Sequence, residues 1–303
     1  MKFILNTIST IFILFLSLIS AILPRKARGY FGKMLGYSIM IISPSRKQIT
    51  LDNLTYAFPD KSKEWIEKTF KQSFANLGIV FAEMFAFIFI SKKSIYNYLI
   101  SIENADLTKS LINQNKGLIF LSAHFGNWEL LALSVALHLD IKPTIIVKPQ
   151  SNTQLDKILN KMRMRFGNKL ISSYNSAFEI VKSLQNKEIL AILADQSASK
   201  DKDVYVPFFG RYTSTYEAPA RLALRYNVPI IMPFMIRQKD FTYKVEMYEL
   251  KHDDLQNSKE GIYELTRRYA DFLEQKIRQY PDHWVWQHRR WKHIIEYVDA
   301  ENN

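Results

Sequence analysis

From residue 117 onward, short apolar runs alternate with runs of helical length, and this alternation limits the possible folds more than any other feature. Strands are predicted at 117–123, 144–148, 170–172, 189–194, 228–237 and 241–249. Helices are predicted at 127–139, 152–166, 175–186, 215–226 and 259–279. Strands that alternate with such helices indicate an α/β fold with a largely parallel sheet flanked by helices. Only three residues separate the last two strands, so they should form an antiparallel hairpin and make the sheet mixed.

The first 24 residues contain a long uncharged stretch. No charged residue occurs from Phe3 to Leu23, and 21 helical residues would measure ~31 Å, enough to cross a bilayer core. Basic residues follow Pro24, namely Arg25, Lys26, Arg28 and Lys33. Because basic flanks stay on the cytoplasmic side, we expect a membrane-anchoring helix at 1–24 and a single cytoplasmic domain at 25–303. A helix lying shallowly in one leaflet and a cleaved signal peptide are the alternatives, and the α/β pattern offers this segment no partner.

A second apolar stretch, at 78–90, ends a predicted helix at 62–90 and contains a single charged residue, Glu83. Thirteen apolar residues are too few to cross a membrane, so this part of the helix should be buried or interfacial.

Composition narrows the classes of function. The 303-residue chain has no cysteine, which excludes disulfides, thiolate metal sites and a cysteine nucleophile. With 41 basic and 29 acidic residues, its net charge of +12 favours an anionic partner. Anionic headgroups attract basic residues beside a membrane segment, so membrane lipids are the expected partner. Nucleic acid is not an expected partner, since the sequence contains no nucleic-acid-binding motif.

The stretch His124-Phe-Gly-Asn-Trp-Glu129 stands where a predicted strand turns into a helix. Gly126 suits a tight turn and Asn127 is a preferred N-cap. His124 should therefore lie at the carboxyl end of a strand, where open α/β sheets bind ligands. A carboxylate at Glu129, bending back to the imidazole, would make His124 a general base. The alternative is that His124 caps a turn and Glu129 complements the helix dipole.

This stretch resembles the His-x4-Asp or His-x4-Glu signature of the bacterial lipid A (lauroyl/myristoyl-type) acyltransferases, within the lysophospholipid acyltransferase-like superfamily. Three further blocks are similar to the family and follow in the same order. They lie at 146–155 with 163–167, at 193–196 with 206–210, and at 281–292. Lys148 stands where the family often has arginine. The resemblance covers the chain from the apolar start to about residue 293.

The resemblance implies an O-acyltransferase that moves a fatty acyl chain from an acyl-carrier-protein thioester to a hydroxyl of a lipid A precursor or related glycolipid. The expected location is the cytoplasmic face of the cell inner membrane, and no metal, cofactor or covalent enzyme intermediate is needed. His124 would take the hydroxyl proton and Glu129 would orient it, while backbone N–H groups around Gly126 and Asn127 would hold the oxyanion. The alternatives are another acceptor, such as a phosphatidylinositol mannoside or a lysolipid, and a catalytically silent lipid-binding homologue.

Substrate-binding roles are predicted for six residues: Asn127, Arg163, Arg165, Asp195, Phe209 and Gly210. The resemblance favours Arg163 for a phosphate, with Arg165 as the alternate, although a solvated basic helix face would explain both. Asp195 ends a predicted strand at the same sheet edge as His124, which suits either a catalytic or substrate-orienting role or a capping role.

Aromatic residues near the end of the chain leave two readings open. Phe209 and Gly210 either line an acyl slot or pack a loop. Three tryptophans stand among basic residues and suit either the headgroup level of a membrane or the protein core. They are Trp284, Trp286 and Trp291.

Overall fold

The computed structural model describes residues 2–174, 177–201 and 203–295, and these contain eleven helices and ten strands. The helices are α1 (Lys2–Ile22), α2 (Arg25–Ile42), α3 (Pro44–Ala57), α4 (Lys63–Ala86), α5 (Lys92–Tyr96), α6 (Ala105–Asn113), α7 (Trp128–Leu139), α8 (Thr153–Arg163), α9 (Ala177–Gln185), α10 (Ala218–Tyr226) and α11 (Lys259–Gln279). The strands are β1 (Leu99–Glu103), β2 (Leu118–Ser122), β3 (Thr144–Val147), β4 (Lys169–Ser172), β5 (Ile189–Leu193), β6 (Val204–Phe208), β7 (Arg211–Thr215), β8 (Ile230–Arg237), β9 (Tyr243–Glu249) and β10 (Ile294–Ile295).

A seven-stranded sheet, in the order β1-β9-β8-β2-β5-β3-β4, forms the centre of the protein. The five strands from β8 to β4 run parallel, while β9 pairs antiparallel with β8 and parallel with β1. The predicted mixed α/β sheet and its late hairpin are therefore confirmed. All five positions of β2 are buried, as expected of a strand covered by helices on both faces.

A smaller antiparallel sheet, β10-β7-β6, was not predicted from the sequence. Its β6 and β7 form a hairpin whose turn holds Phe209 and Gly210 at positive φ. The edge strand β1 and the helix α6 were also not predicted from the sequence. The predicted helix at 62–90 ends at Ala86, and its apolar second half is buried.

Two hydrophobic clusters make up the core. The first contains all three tryptophans of the C-terminal segment, which are 1%, 0% and 9% exposed for Trp284, Trp286 and Trp291. Side chains this deeply buried cannot reach lipid headgroups. The core interpretation of these residues is the correct one.

The backbones of α2 and α4 are in contact where glycines of the two helices meet. A Cβ added to Gly36 would lie 2.1 Å from the carbonyl oxygen of Phe74, and one added to Gly78 would lie 2.2 Å from the carbonyl oxygen of Gly32. No other residue could stand at these positions without separating the helices.

The N-terminal helix α1 packs against α4 and against α8. It is long and apolar enough to cross a membrane by length and composition, yet it has partners in the α/β body that the sequence pattern did not reveal.

Candidate functional site

His124 and Asp195 meet at the carboxyl edge of the parallel sheet. β2 and β5 are hydrogen-bonded neighbours, and each residue lies two positions after the end of its strand. The imidazole Nδ1 of His124 is 2.8 Å from Oδ1 of Asp195, and the backbone N–H of His124 donates to Oδ2 at 3.0 Å. A carboxylate accepts the Nδ1 proton and leaves the lone pair of Nε2 free, which is the tautomer that a general base requires.

The C-terminal segment fixes this pair from the other side. Trp284 donates its indole N–H to Oδ2 of Asp195 at 2.8 Å. The backbone N–H of Val285 donates to the carbonyl oxygen of His124 at 3.1 Å, and the N–H of Gly126 donates to that of His283 at 2.9 Å. Asp195 is thus buried, and its carboxylate has three hydrogen-bond partners within the protein.

Electrostatics favour the charge separation that base catalysis needs. Burial opposes the imidazolium form of His124, but the charge and hydrogen bond of Asp195 and the charge of Glu129 outweigh it, so the pKa of His124 is raised. Burial likewise opposes the carboxylate of Asp195, but His124 and the Trp284 indole lower the pKa of Asp195 overall. The side chain of His124 keeps 24% of its surface exposed, so a substrate can approach the ring.

Glu129 does not hydrogen-bond the imidazole, and the expectation that it orients His124 is corrected by the structure. Both of its oxygens are occupied by Arg163, with Nη2 at 2.5 Å from Oε1 and Nε at 3.0 Å from Oε2. The carboxylate on the ring is Asp195 instead. Because α8 brings Arg163 over the first turn of α7, Glu129 is held close enough to act on His124 through its charge alone.

Arg163 therefore has an internal partner where a phosphate was expected. Its guanidinium also donates to Asn160 at 3.2 Å, and only 12% of the side chain is exposed. Arg165 lies beyond the end of α8 and donates to the carbonyl oxygen of Phe87 at 2.5 Å, next to the end of α4. Arg163 thus joins α8 to the first turn of α7, while Arg165 joins the end of α8 to the end of α4.

The turn after His124 has a geometry that only glycine allows. Gly126 has φ +59°, and a Cβ there would lie 1.9 Å from the carbonyl oxygen of Met235. Since the N–H of Gly126 donates to the His283 carbonyl, it is not available to an oxyanion. Asn127 is the predicted N-cap of α7 and accepts from the N–H of Leu130 at 2.9 Å.

A buried polar network that was not predicted from the sequence supports the turn through Asn127. Glu83 of α4 accepts from the Asn127 side-chain amide at 2.6 Å and from the Tyr243 hydroxyl at 2.5 Å. Burial raises the pKa of Glu83, and the nearby Arg237 opposes that rise. Because Asn127 is fully buried and both polar atoms of its side chain are bonded, that side chain does not reach a substrate. A lone carboxylate within the apolar stretch at 78–90 was the signal for such a network.

The β6–β7 turn belongs to the core rather than to the His124 pair. Phe209 is 6% exposed and packs on Phe58 and Trp286, with ring centroids 5.4 and 6.2 Å apart. Gly210 is exposed at the turn, with no heavy atom within 4 Å of an added Cβ. The loop-packing interpretation fits these positions. In the described ranges, no group of three or more His, Asp or Glu side chains could hold a metal ion.

The chain is similar in sequence to one family of known proteins. The family model of the bacterial lipid A biosynthesis acyltransferases matches residues 3–293. A lipid A biosynthesis acyltransferase of Haemophilus influenzae is 24% identical over 90% of this chain and 84% of its own length. The lipid A biosynthesis palmitoleoyltransferase of Escherichia coli is 24% identical over 89% of this chain and 86% of its own. The lipid A biosynthesis myristoyltransferase of Escherichia coli is 22% identical over 88% and 81%.

Proposed function

Because the chain belongs to the bacterial lipid A biosynthesis acyltransferase family, we propose that it esterifies a hydroxyl of a lipid A precursor with a fatty acyl chain. The observation that carries this proposal is the His124–Asp195 pair at the carboxyl edge of the sheet. The acyl donor is a thioester on acyl carrier protein. The reaction takes place on the cytoplasmic face of the inner membrane, where residues 1–24 anchor the domain formed by 25–303.

In the first step, Nε2 of His124 takes the proton of the acceptor hydroxyl as its oxygen attacks the thioester carbonyl. The new C–O bond makes a tetrahedral oxyanion, and the imidazolium that forms is stabilised by Asp195. The C–S bond then breaks, and the leaving thiolate recovers the proton from Nε2. General-base help of this kind contributes ~10²–10⁴-fold, and thioesters have a good leaving group.

Two further groups complete the mechanism. Glu129 stays ion-paired with Arg163 and adds negative charge near the imidazolium without touching it. The helix α7 begins at Trp128, four residues after His124, and unpaired backbone N–H groups at a helix start can stabilise an oxyanion. Since Gly126 is already bonded and Asn127 is fully buried, the N–H group of Trp128 takes this role.

The donor can be tested with a pair of substrates. The chain carries a net charge of +12, so an acidic carrier protein should associate quickly at low salt and more slowly as salt rises. We expect acyl-carrier-protein thioester to give a product one acyl ester heavier by mass spectrometry, with kcat/KM decreasing steeply with ionic strength. Equal kcat/KM with the matching acyl-coenzyme A would contradict the proposed donor, and no acyl transfer from either thioester would contradict the proposed function.

The pH profile should report the state of His124. Its neutral form is the base, so kcat/KM should fall as the pH decreases through the pKa of His124. Because Asp195 and Glu129 raise that pKa, the acid limb should lie above the ordinary value of 6.5. Replacing Glu129 with Gln removes one of these charges and should move the limb to lower pH. A limb below 6.5 in the unaltered protein would contradict this assignment.

A further inference from the structure

The outer side of α1 is covered by large apolar side chains. Nine of them are at least half exposed, between 50% and 75%: Phe3, Ile4, Leu5, Ile8, Ile11, Phe12, Phe15, Leu18 and Ile22. An apolar face of this extent on a protein surface marks an interaction site. Since no charged residue interrupts it, the face suits hydrocarbon better than a polar partner.

The inner side of α1 is polar and is bonded to the body near its start. The side-chain amide of Asn152 donates to the Asn6 carbonyl oxygen at 3.1 Å and to the Thr10 hydroxyl at 3.0 Å. Gln154 donates to the Thr7 hydroxyl at 3.1 Å. These contacts fasten the first half of α1 to the start of α8.

The far end of α1 is fastened as well. The guanidinium of Arg28 donates to the carbonyl oxygens of Ser20 at 2.5 Å and of Leu23 at 2.7 Å. Ser17 and Ser20 are fully buried, and α1 packs on α4. The body therefore holds α1 from Asn6 to Leu23, which is ~26 Å of its length.

Contacts along the whole helix conflict with a spanning orientation. If α1 crossed the bilayer, the start of α8 and the irregular segment at 148–152 would lie in hydrocarbon beside Asn6. That segment exposes Lys148 and Gln150, and irregular backbone facing lipid leaves polar groups unsatisfied. These polar groups stay in water when α1 lies parallel to the membrane surface, with its outer side toward the lipid and the rest of the protein on the aqueous side.

The second helix extends the same surface. Its outward side chains recur at helical spacing and are aromatic or aliphatic: Tyr30, Met34, Tyr37, Ile41 and Ile42, each 41% to 75% exposed. Lys26 is exposed on the same face, and the ammonium of Lys33 lies 5.4 Å from the centre of the Tyr30 ring. Tyrosine and lysine together are typical of the headgroup level of an anionic leaflet.

This surface lies next to the candidate active site. Asn152 follows β3, and the carboxyl end of β3 is on the same sheet edge as the carboxyl ends of β2 and β5. The geometry points to a monotopic membrane face: the outer sides of α1 and α2 lie in the plane of one leaflet of anionic phospholipid, and His124 opens toward that leaflet. This inference rests on the proposed function in one respect, which is that the acceptor is a lipid within the membrane.

Depth measurements can test the orientation of α1. The chain contains no cysteine, so single-cysteine variants need no other change. We would label Ile4→Cys, Ile11→Cys and Leu18→Cys with a fluorophore on the full chain, bound to vesicles of phosphatidylethanolamine and phosphatidylglycerol. Quenchers attached at known depths of the acyl chain then give the depth of each label. An in-plane helix predicts equal depths, about 5–10 Å below the headgroups. A spanning helix predicts that Ile4 and Leu18 differ by ~21 Å along the bilayer normal, with Ile11 near its centre, and would overturn the inference.

A label on the opposite side of the protein provides the control. Lys116 is exposed and precedes β2 at the amino edge of the sheet, so Lys116→Cys should stay unquenched. Quenching of this label would contradict the orientation of the body. Crosslinking between copies through Ile11→Cys without lipid quenching would mean that a second copy covers α1, which also overturns the inference. The depth measurement does not depend on acyl transfer. A protein with three equal depths but no acyltransferase activity would therefore contradict the proposed function and leave the orientation of α1 supported.

Discussion

His124→Ala is expected to lose at least ~10²-fold in turnover while it remains folded and bound to membranes. The substitution removes the atom that takes the proton, whereas the ring is partly exposed and contributes little to the core. KM should change less than kcat, because proton transfer matters in the transition state. The measurement is initial-rate kinetics of acyl transfer, together with thermal unfolding of both proteins.

His138→Ala serves as the matched control for this variant. His138 lies near the other end of α7, where its ring stacks on Tyr96 at 3.8 Å and bonds the Ser134 carbonyl oxygen. We expect near-normal turnover from it. Near-normal turnover from His124→Ala would show that His124 is not the base.

Asp195→Asn is expected to lose ~10²–10⁴-fold in turnover, an effect as large as the loss of the base itself. The asparagine oxygen can still accept from Trp284 and from the backbone N–H of His124, so the fold around it is kept. Its NH₂ group then faces Nδ1 and donates to it, which moves the ring proton to Nε2 and blocks the base. Removing the negative charge also lowers the pKa of His124, so the residual activity should have its acid limb at lower pH.

A second aspartate–histidine pair in the protein offers the control for this substitution. Asp282 lies 3.1 Å from Nδ1 of His283, and Asp282→Asn should leave the pH profile unchanged. The double variant His124→Ala/Asp195→Asn should be no slower than His124→Ala, because both changes disable one unit. Additive losses would mean that Asp195 acts independently of the imidazole.

Much of the fold was predictable because its signals are local. A buried parallel strand is a continuous apolar run, so β2 and β5 were found almost to the residue. The hairpin of β8 and β9 followed from the short connection between them. The strand β1 was missed because its pairing with β9 joins residues far apart in the sequence. No pattern within Leu99–Glu103 indicates that contact.

In the candidate site, too, the features set by neighbouring residues were predictable, and those set by distant parts of the chain were not. The tight turn at Gly126 and the N-cap at Asn127 depend on neighbouring residues and could be read from the sequence. Which carboxylate reaches His124 depends on strand order, which places β5 next to β2 and so brings in Asp195. The bond from Trp284 comes from a segment 89 residues further along, and no local pattern predicts it.

The glycine crossing of α2 and α4 has a consequence for handling the protein. Helices held by water exclusion loosen when detergent or lipid replaces the water around them, because the driving force disappears. Backbones that touch at Gly32, Gly36 and Gly78 attract each other by dispersion, which changes little with the surrounding solvent. The packing of α2 on α4 beneath the apolar surface should therefore change little between micelles, nanodiscs and native membrane.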